Sequence, residues 1–236
     1  MADVAEQWDE VWEPDLTQVV TEDDEPVDNL FSERQQRLLV DSLYASGERF
    51  QPFLALANVG LFSTAEDPPY VPDVLVSLGV QPPADVWEKR NRSYFIWRYG
   101  KPPELVIEVV SNRDRHKEEK IQGYARLGIA YYVIFDPMLK LSQRKLRVYE
   151  RHGAGYVPVA DPRRLTSLPF GLTLETSPYE GIEAEWLRFI GPAGEILRTG
   201  SEVAEVERQR AEVERQRADR LAARLRELGV DPDALP

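Results

Sequence analysis

The sequence has no cysteine, which excludes disulfides and thiolate-bound metal centres. Histidine is nearly as scarce: His116 and His152 are the only two, and they lack the spacing of a metal-binding pair. No apolar run approaches the roughly 20 residues that cross a bilayer, and the N-terminus is acidic where a secretory leader is basic. Walker-type and dinucleotide-binding glycine loops are also missing, so no nucleotide cofactor is expected. These absences lead to the expectation of a soluble, cytoplasmic protein with no membrane partner.

Basic residues are missing from one place in particular. Residues 1–30 hold eleven acidic groups and no Lys or Arg, against a net charge of −12 for all 236 residues. The remainder of the chain is therefore close to neutral, and the overall acidity does not exclude a polyanionic partner. This arm also carries Trp8 and Trp12, which purely solvating tails seldom have. It reads either as a segment that competes with phosphates for a basic cleft, or as an extension packed by its tryptophans.

What is present is organised around residues 101–137. The run Glu104-Leu105-Val106-Ile107-Glu108-Val109-Val110-Ser111 has the composition of a central strand, but Glu108 interrupts its apolar core. A carboxylate buried there costs several kcal/mol, roughly, unless it is paired or ligates a metal. Alternation offers an escape, because Glu104 and Glu108 share a parity and could face solvent. A second carboxylate, Asp73, follows Pro72 at the mouth of the strand-like run Val74-Leu75-Val76-Ser77. After Ser111 a helix is expected, capped by Asn112 or Asp114 and stopped by Gly128. On it Lys117, Lys120 and Tyr124 fall three and four residues apart on one face. Lys120 can point back toward Glu108, or the charged run Lys117-Glu118-Glu119-Lys120 can simply be a solvated face. Two hard oxygen ligands with a nearby cation suit Mg²⁺-dependent phosphodiester hydrolysis.

Pro72-Asp73, the strand from Pro102 to Ser111, the helix Lys120-Ile121-Gln122-Gly123-Tyr124-Ala125-Arg126-Leu127-Gly128 and the strand Tyr131 to Pro137 together resemble the Uma2 family of restriction-endonuclease-like proteins. That family lies within the PD-(D/E)XK nuclease superfamily. The resemblance extends from about Phe53 to the C-terminus. It implies an α/β fold with a restriction-endonuclease-like core, in which helices flank a mixed β-sheet and a long charged C-terminal helix follows. It also implies Asp73 and Glu108 as ligands of Mg²⁺ (or Mn²⁺), the Val109 carbonyl as a third oxygen, and Lys120 as the catalytic lysine. In the superfamily the lysine lies two residues beyond the acid on the same strand, and Val110 occupies that position here. Lys117, one turn earlier, competes with Lys120 for the role. A helix preceding the sheet often donates another acid, for which Glu33 is the candidate, although its first-turn position also complements the helix dipole.

Four segments are expected: an acidic arm (1–30), the α/β domain (31–198), a charged heptad helix (199–230) and a short tail (231–236). Within the domain, Ser32 and Gln35 read as a capping box, residues 53–62 as one strand, 146–149 and 155–159 as a hairpin, and 163–198 as further short strands. The segment 81–101 mixes Trp87, Tyr94 and Trp97 with Lys89, Arg90, Arg92 and Arg98. These four basic residues, with Lys117, are candidates for phosphate contact. The tail repeats Ala-Glu-Val-Glu-Arg-Gln-Arg at 204–210 and 211–217, which suits either a homodimeric coiled coil or a single helix held by i,i+4 pairs. The functional expectation is a metal-dependent endonuclease acting on nucleic acid, DNA before RNA. The alternative is a non-catalytic nucleic-acid-binding or protein-interaction module on the same fold.

Overall fold

The computed structural model describes residues 29–111 and 116–228, apart from the side chains at 47–48 and 116–119. The acidic segment 1–28, the cap candidates Asn112 and Asp114, and the tail from 229 onward lie outside the described residues.

From its N-terminus the chain forms α1 (Leu30–Ala45), β1 (Phe53–Ala57), β2 (Leu61–Phe62), β3 (Val74–Leu78), β4 (Tyr94–Phe95) and a single turn α2 (Ile96–Tyr99). Next come β5 (Leu105–Val109), α3 (His116–Leu127), β6 (Tyr131–Phe135), β7 (Leu146–His152) and β8 (Gly155–Pro158). A long hairpin, β9 (Gly171–Tyr179) and β10 (Ile182–Ile190), precedes α4 (Gly200–Glu227). Six strands make one mixed sheet in the order β1-β3-β5-β6-β7-β8. Its centre is β5 beside β6, both buried along their whole length. They are parallel, and α3 supplies the crossover that parallel neighbours need.

Strand alternation divides the core between two faces. Val74, Val76, Ile107 and Val109 pack with Leu39 and Leu43 of α1 and with Leu172, Leu187 and Phe189 of the hairpin. Leu75, Val106, Tyr132 and Ile134 pack with Tyr124 of α3, with Leu61 and with Tyr94. Each such fully buried side chain contributes about 1.5–3 kcal/mol. Glu108 and Asp73 have the parity of Val106 and Leu75, so they belong to the α3 face.

Three local readings change. The strand expected over 53–62 breaks after Ala57, because Asn58 turns the chain through a left-handed φ of 52°, a conformation that asparagine tolerates. The N-cap of α1 is Asn29, whose Oδ1 accepts the Ser32 N–H at 2.9 Å, and Ser32 is inside the first turn. Residues 171–190 form two nine-residue strands in place of several short ones, with the turn passing through Glu180 and Gly181 at positive φ.

Candidate functional site

The site grows from the pairing of β3 with β5. Their antiparallel register sets Val74 opposite Ile107, so one further step brings Asp73 across from Glu108. Directly opposed residues on one face stand about 4.5–5.5 Å apart at Cβ. Pro72, with no amide hydrogen, ends the ladder here, and Asp73 takes over the hydrogen bonding with its side chain. Its Oδ2 accepts the Val109 N–H at 2.5 Å, and its Oδ1 accepts from Gln36 Nε2 at 3.2 Å. Gln36 Oε1 in turn accepts from Asn58 Nδ2 at 2.8 Å. The left-handed turn at Asn58 and a buried glutamine of α1 therefore hold Asp73 from the side opposite β5.

Glu108 is 1% exposed and Asp73 5%. On Glu108, Oε1 accepts two hydrogen bonds, from Lys120 Nζ at 2.9 Å and from the Tyr124 hydroxyl at 2.8 Å. Both donors come from α3, four residues apart and hence on one face of the helix. The Lys120 ammonium also lies 3.5 Å from the Val71 carbonyl. The buried charge of Glu108 thus meets a cation and a phenol, the compensation that a carboxylate in a low-dielectric interior requires.

Electrostatics ties the two acids together. Burial pushes the Tyr124 hydroxyl well above the ordinary phenol range, and the charge of Glu108 and, more weakly, Asp73 adds to the effect. Tyr132 is raised in the same direction by burial and then by Glu108, with Asp73 a smaller contributor. Two phenols therefore sense both carboxylates, and Tyr124 stays protonated as a donor through the whole working pH range.

Close packing fixes α3 against this corner. A Cβ built on Gly123 would stand 2.1 Å from the Tyr70 hydroxyl, so the missing side chain lets the Tyr70 ring lie against Tyr124 at a centroid distance of 5.0 Å. Asp136, at the end of β6, is also fully buried, but it accepts the N–H groups of Lys140, Leu141 and Ser142, an arrangement that holds a loop.

The donor set suits a hard divalent cation. Mg²⁺ is commonly held by one or two carboxylates, with water and substrate oxygens completing its shell. Asp73 and Glu108 supply such a pair. Among the described residues no group of three His, Cys, Asp or Glu side chains gathers into a site of the caged kind.

Glu33 binds Arg37 through both oxygens at 2.7 Å on the exposed side of α1, and Gln36 is the residue of that helix that meets Asp73. Lys117 belongs to α3, and its side chain lies outside the described residues. Arg90 pairs with Glu88 at 2.6 Å, Arg92 donates to the Trp87 carbonyl at 3.1 Å, Arg98 is exposed, and Lys89 is half-buried. The Trp87 indole stands 80% exposed among them. Val110, the position of the superfamily lysine, is buried in the apolar packing on the α3 face. Gln36, Asn58 and Tyr124 carry no site role in the sequence reading, and the one signal for them was the four-residue step from Lys120 to Tyr124.

Among known protein families, a model named Uma2 and described as "Putative restriction endonuclease" matches residues 22–178, about two thirds of the chain. No curated protein matches it. Among the described residues no helix is long and apolar enough to cross a membrane.

Proposed function

This chain belongs to the Uma2 family of restriction-endonuclease-like proteins, and from that premise we propose that it is a divalent-metal-dependent endonuclease hydrolysing phosphodiester bonds of nucleic acid, DNA in the first instance. One observation carries the reading: Lys120 of α3 meets the buried Glu108 at 2.9 Å while Asp73 stands at the adjoining strand mouth. The combination of two acids and one lysine is retained, with the lysine supplied by the helix.

In this reading Asp73, Glu108 and the Val109 carbonyl would hold Mg²⁺ or Mn²⁺. A bound divalent cation supplies charge neutralisation at the scissile phosphate and acidifies water in its shell. The chain's own groups do the rest. Gln36 and the Val109 N–H fix the Asp73 carboxylate, and Tyr124 fixes that of Glu108, so neither acid reorganises when substrate arrives. Lys120, 27% exposed at its side chain, brings a positive charge to the rim, where it can stabilise the phosphate as negative charge develops. Lys89, Arg90, Arg92, Arg98 and Lys117 are the proposed contacts to the sugar-phosphate backbone.

The test combines Mn²⁺ titration calorimetry with nicking of supercoiled plasmid, on the native chain and on Asp73→Asn, Glu108→Gln and Lys120→Ala, each first checked for a native thermal transition. Asp73→Asn and Glu108→Gln should lose metal binding and cleavage together. Lys120→Ala should keep the metal and lose about 10²–10³-fold in rate. A native chain that binds no Mn²⁺ would favour the non-catalytic module instead.

A further inference from the structure

The long C-terminal helix α4 is clamped to the body at its N-terminal end. Thr199 and Glu202 form a reciprocal capping box, and the Gly200 N–H donates to Asp41 of α1 at 3.0 Å. The buried Arg188 of β10 grips both oxygens of Glu202 at 2.8 and 2.7 Å. From this clamp α4 runs for 28 residues, a length of about 42 Å, and none of its residues is buried. Val203, Val213, Leu221 and Leu228 are between 41% and 64% exposed.

In steps of three and four, Val203, Glu207, Arg210, Glu214, Arg217, Leu221, Leu225 and Leu228 form one stripe along the helix. It is apolar at both ends and charged in the middle, with the charges alternating in sign. That pattern discriminates between ways of covering it. In a parallel, in-register pair each charge would face its own copy, glutamate against glutamate and arginine against arginine, which is destabilising. In an antiparallel pair, the register that sets Glu207 opposite Arg217 of the second copy also sets Arg210 opposite Glu214 and Val203 opposite Leu221. Every charge in the stripe then meets its opposite, and the apolar ends meet each other.

The same register brings Leu225 and Leu228 of the second copy alongside residues 199 and 196. There the body presents a groove of about 550 Å³ whose wall sets apolar Ala45, Ile196 and Leu197 beside charged Arg49, Glu195 and Arg198. We infer that α4 pairs antiparallel with α4 of a second copy of this chain, the leucine-bearing end of each helix docking at the clamped base of the other. The contact is isologous, so one surface satisfies both copies and closes the assembly at two.

Sedimentation velocity on the full chain tests this. The native chain should be a dimer at low salt and loosen as salt rises. Glu207→Arg and Arg217→Glu each replace two attractive contacts per dimer by two repulsive ones and should weaken association by about tenfold or more. An equimolar mixture of the two variants should recover the dimer, because each then offers the charge that the other needs. Far-UV circular dichroism confirms that the helix is intact in each. As the chain has no cysteine, a Val203→Cys chain mixed with a Leu221→Cys chain should crosslink on oxidation, and neither should crosslink with itself. A native chain that stays monomeric, a mixture that fails to associate, or a Val203→Cys chain that crosslinks to itself would each overturn the inference.

Discussion

The phenol of Tyr124 shares one oxygen of Glu108 with Lys120, so a single atom of the phenol carries one of the two hydrogen bonds on that oxygen. Tyr124→Phe removes that atom and little else. A hydrogen bond to a charged, buried acceptor contributes about 1.5–3 kcal/mol, so the variant should melt several degrees below the native protein. Loosening a group that orients a ligand costs about 10–100-fold in metal affinity, and Mn²⁺ titration should find a loss in that range. An unchanged melt and an unchanged titration would mean that the Tyr124 hydroxyl does not orient the acid. At this scale the sequence was legible where chemistry and spacing coincided. Glu108 stood out because a charge sat inside an apolar run, and Lys120 because helical spacing turned it toward that charge. Gln36 was not legible: its contact with Asp73 joins residues 37 positions apart, and nothing local to α1 distinguishes it from Gln35, which is also buried but bonds to the backbone of Leu187.

Among the elements, α3 and α4 are held by opposite means, α3 by close packing and α4 by charge. In an ordinary helix interior Gly→Ala stabilises by about 0.5–1 kcal/mol. At Gly123 the added methyl would drive Tyr70 off Tyr124, so Gly123→Ala should destabilise by about 1–3 kcal/mol, and the sign of the shift in chemical denaturation decides the matter. At the base of α4, burial pushes the Glu202 carboxyl up, but the Arg188 guanidinium and the Thr199 N–H outweigh it and hold the group below the usual carboxylate range. A depressed carboxyl contributes stability above its unfolded value, near 4.5, and loses it as pH falls through the lower folded value. Glu202→Gln should therefore cost about 1.5–3 kcal/mol at neutral pH, because it leaves the buried Arg188 guanidinium with only the longer Glu175 contact at 3.7 Å as an ion pair, and flatten the decline in stability below pH 4.5. Denaturant melts from pH 3 to 7 would measure both effects. Strand positions were legible where apolar residues ran together, as in β5 and β6, or alternated with polar ones, as in the β7–β8 hairpin. The extent of β9 and β10 was not, because Pro178 and the scattered charges of that hairpin suggest interruptions that the long antiparallel pairing overrides.

For the whole molecule, the distribution of charge matters more than its total. Eleven of the acids lie in residues 1–28, and the remainder is close to neutral. If that segment competes with phosphates, its deletion should tighten binding of a DNA duplex at low salt, with the difference shrinking as salt rises. Equal affinity for the full and shortened chains, measured by fluorescence anisotropy, would assign the segment another task. The fold class was legible at this scale because two buried strands flanking a charged helix already specify a parallel pair with its crossover. The two-sided cover of the sheet was not, since it depends on a hairpin and an N-terminal helix far apart in the chain. The mounting of Lys120 on α3, with both acids on the sheet, has a consequence for finding relatives. A linear template with fixed spacing between acid and lysine passes over any protein built this way, whereas a three-point template in space, two strand carboxylates and one helix ammonium, would retrieve it.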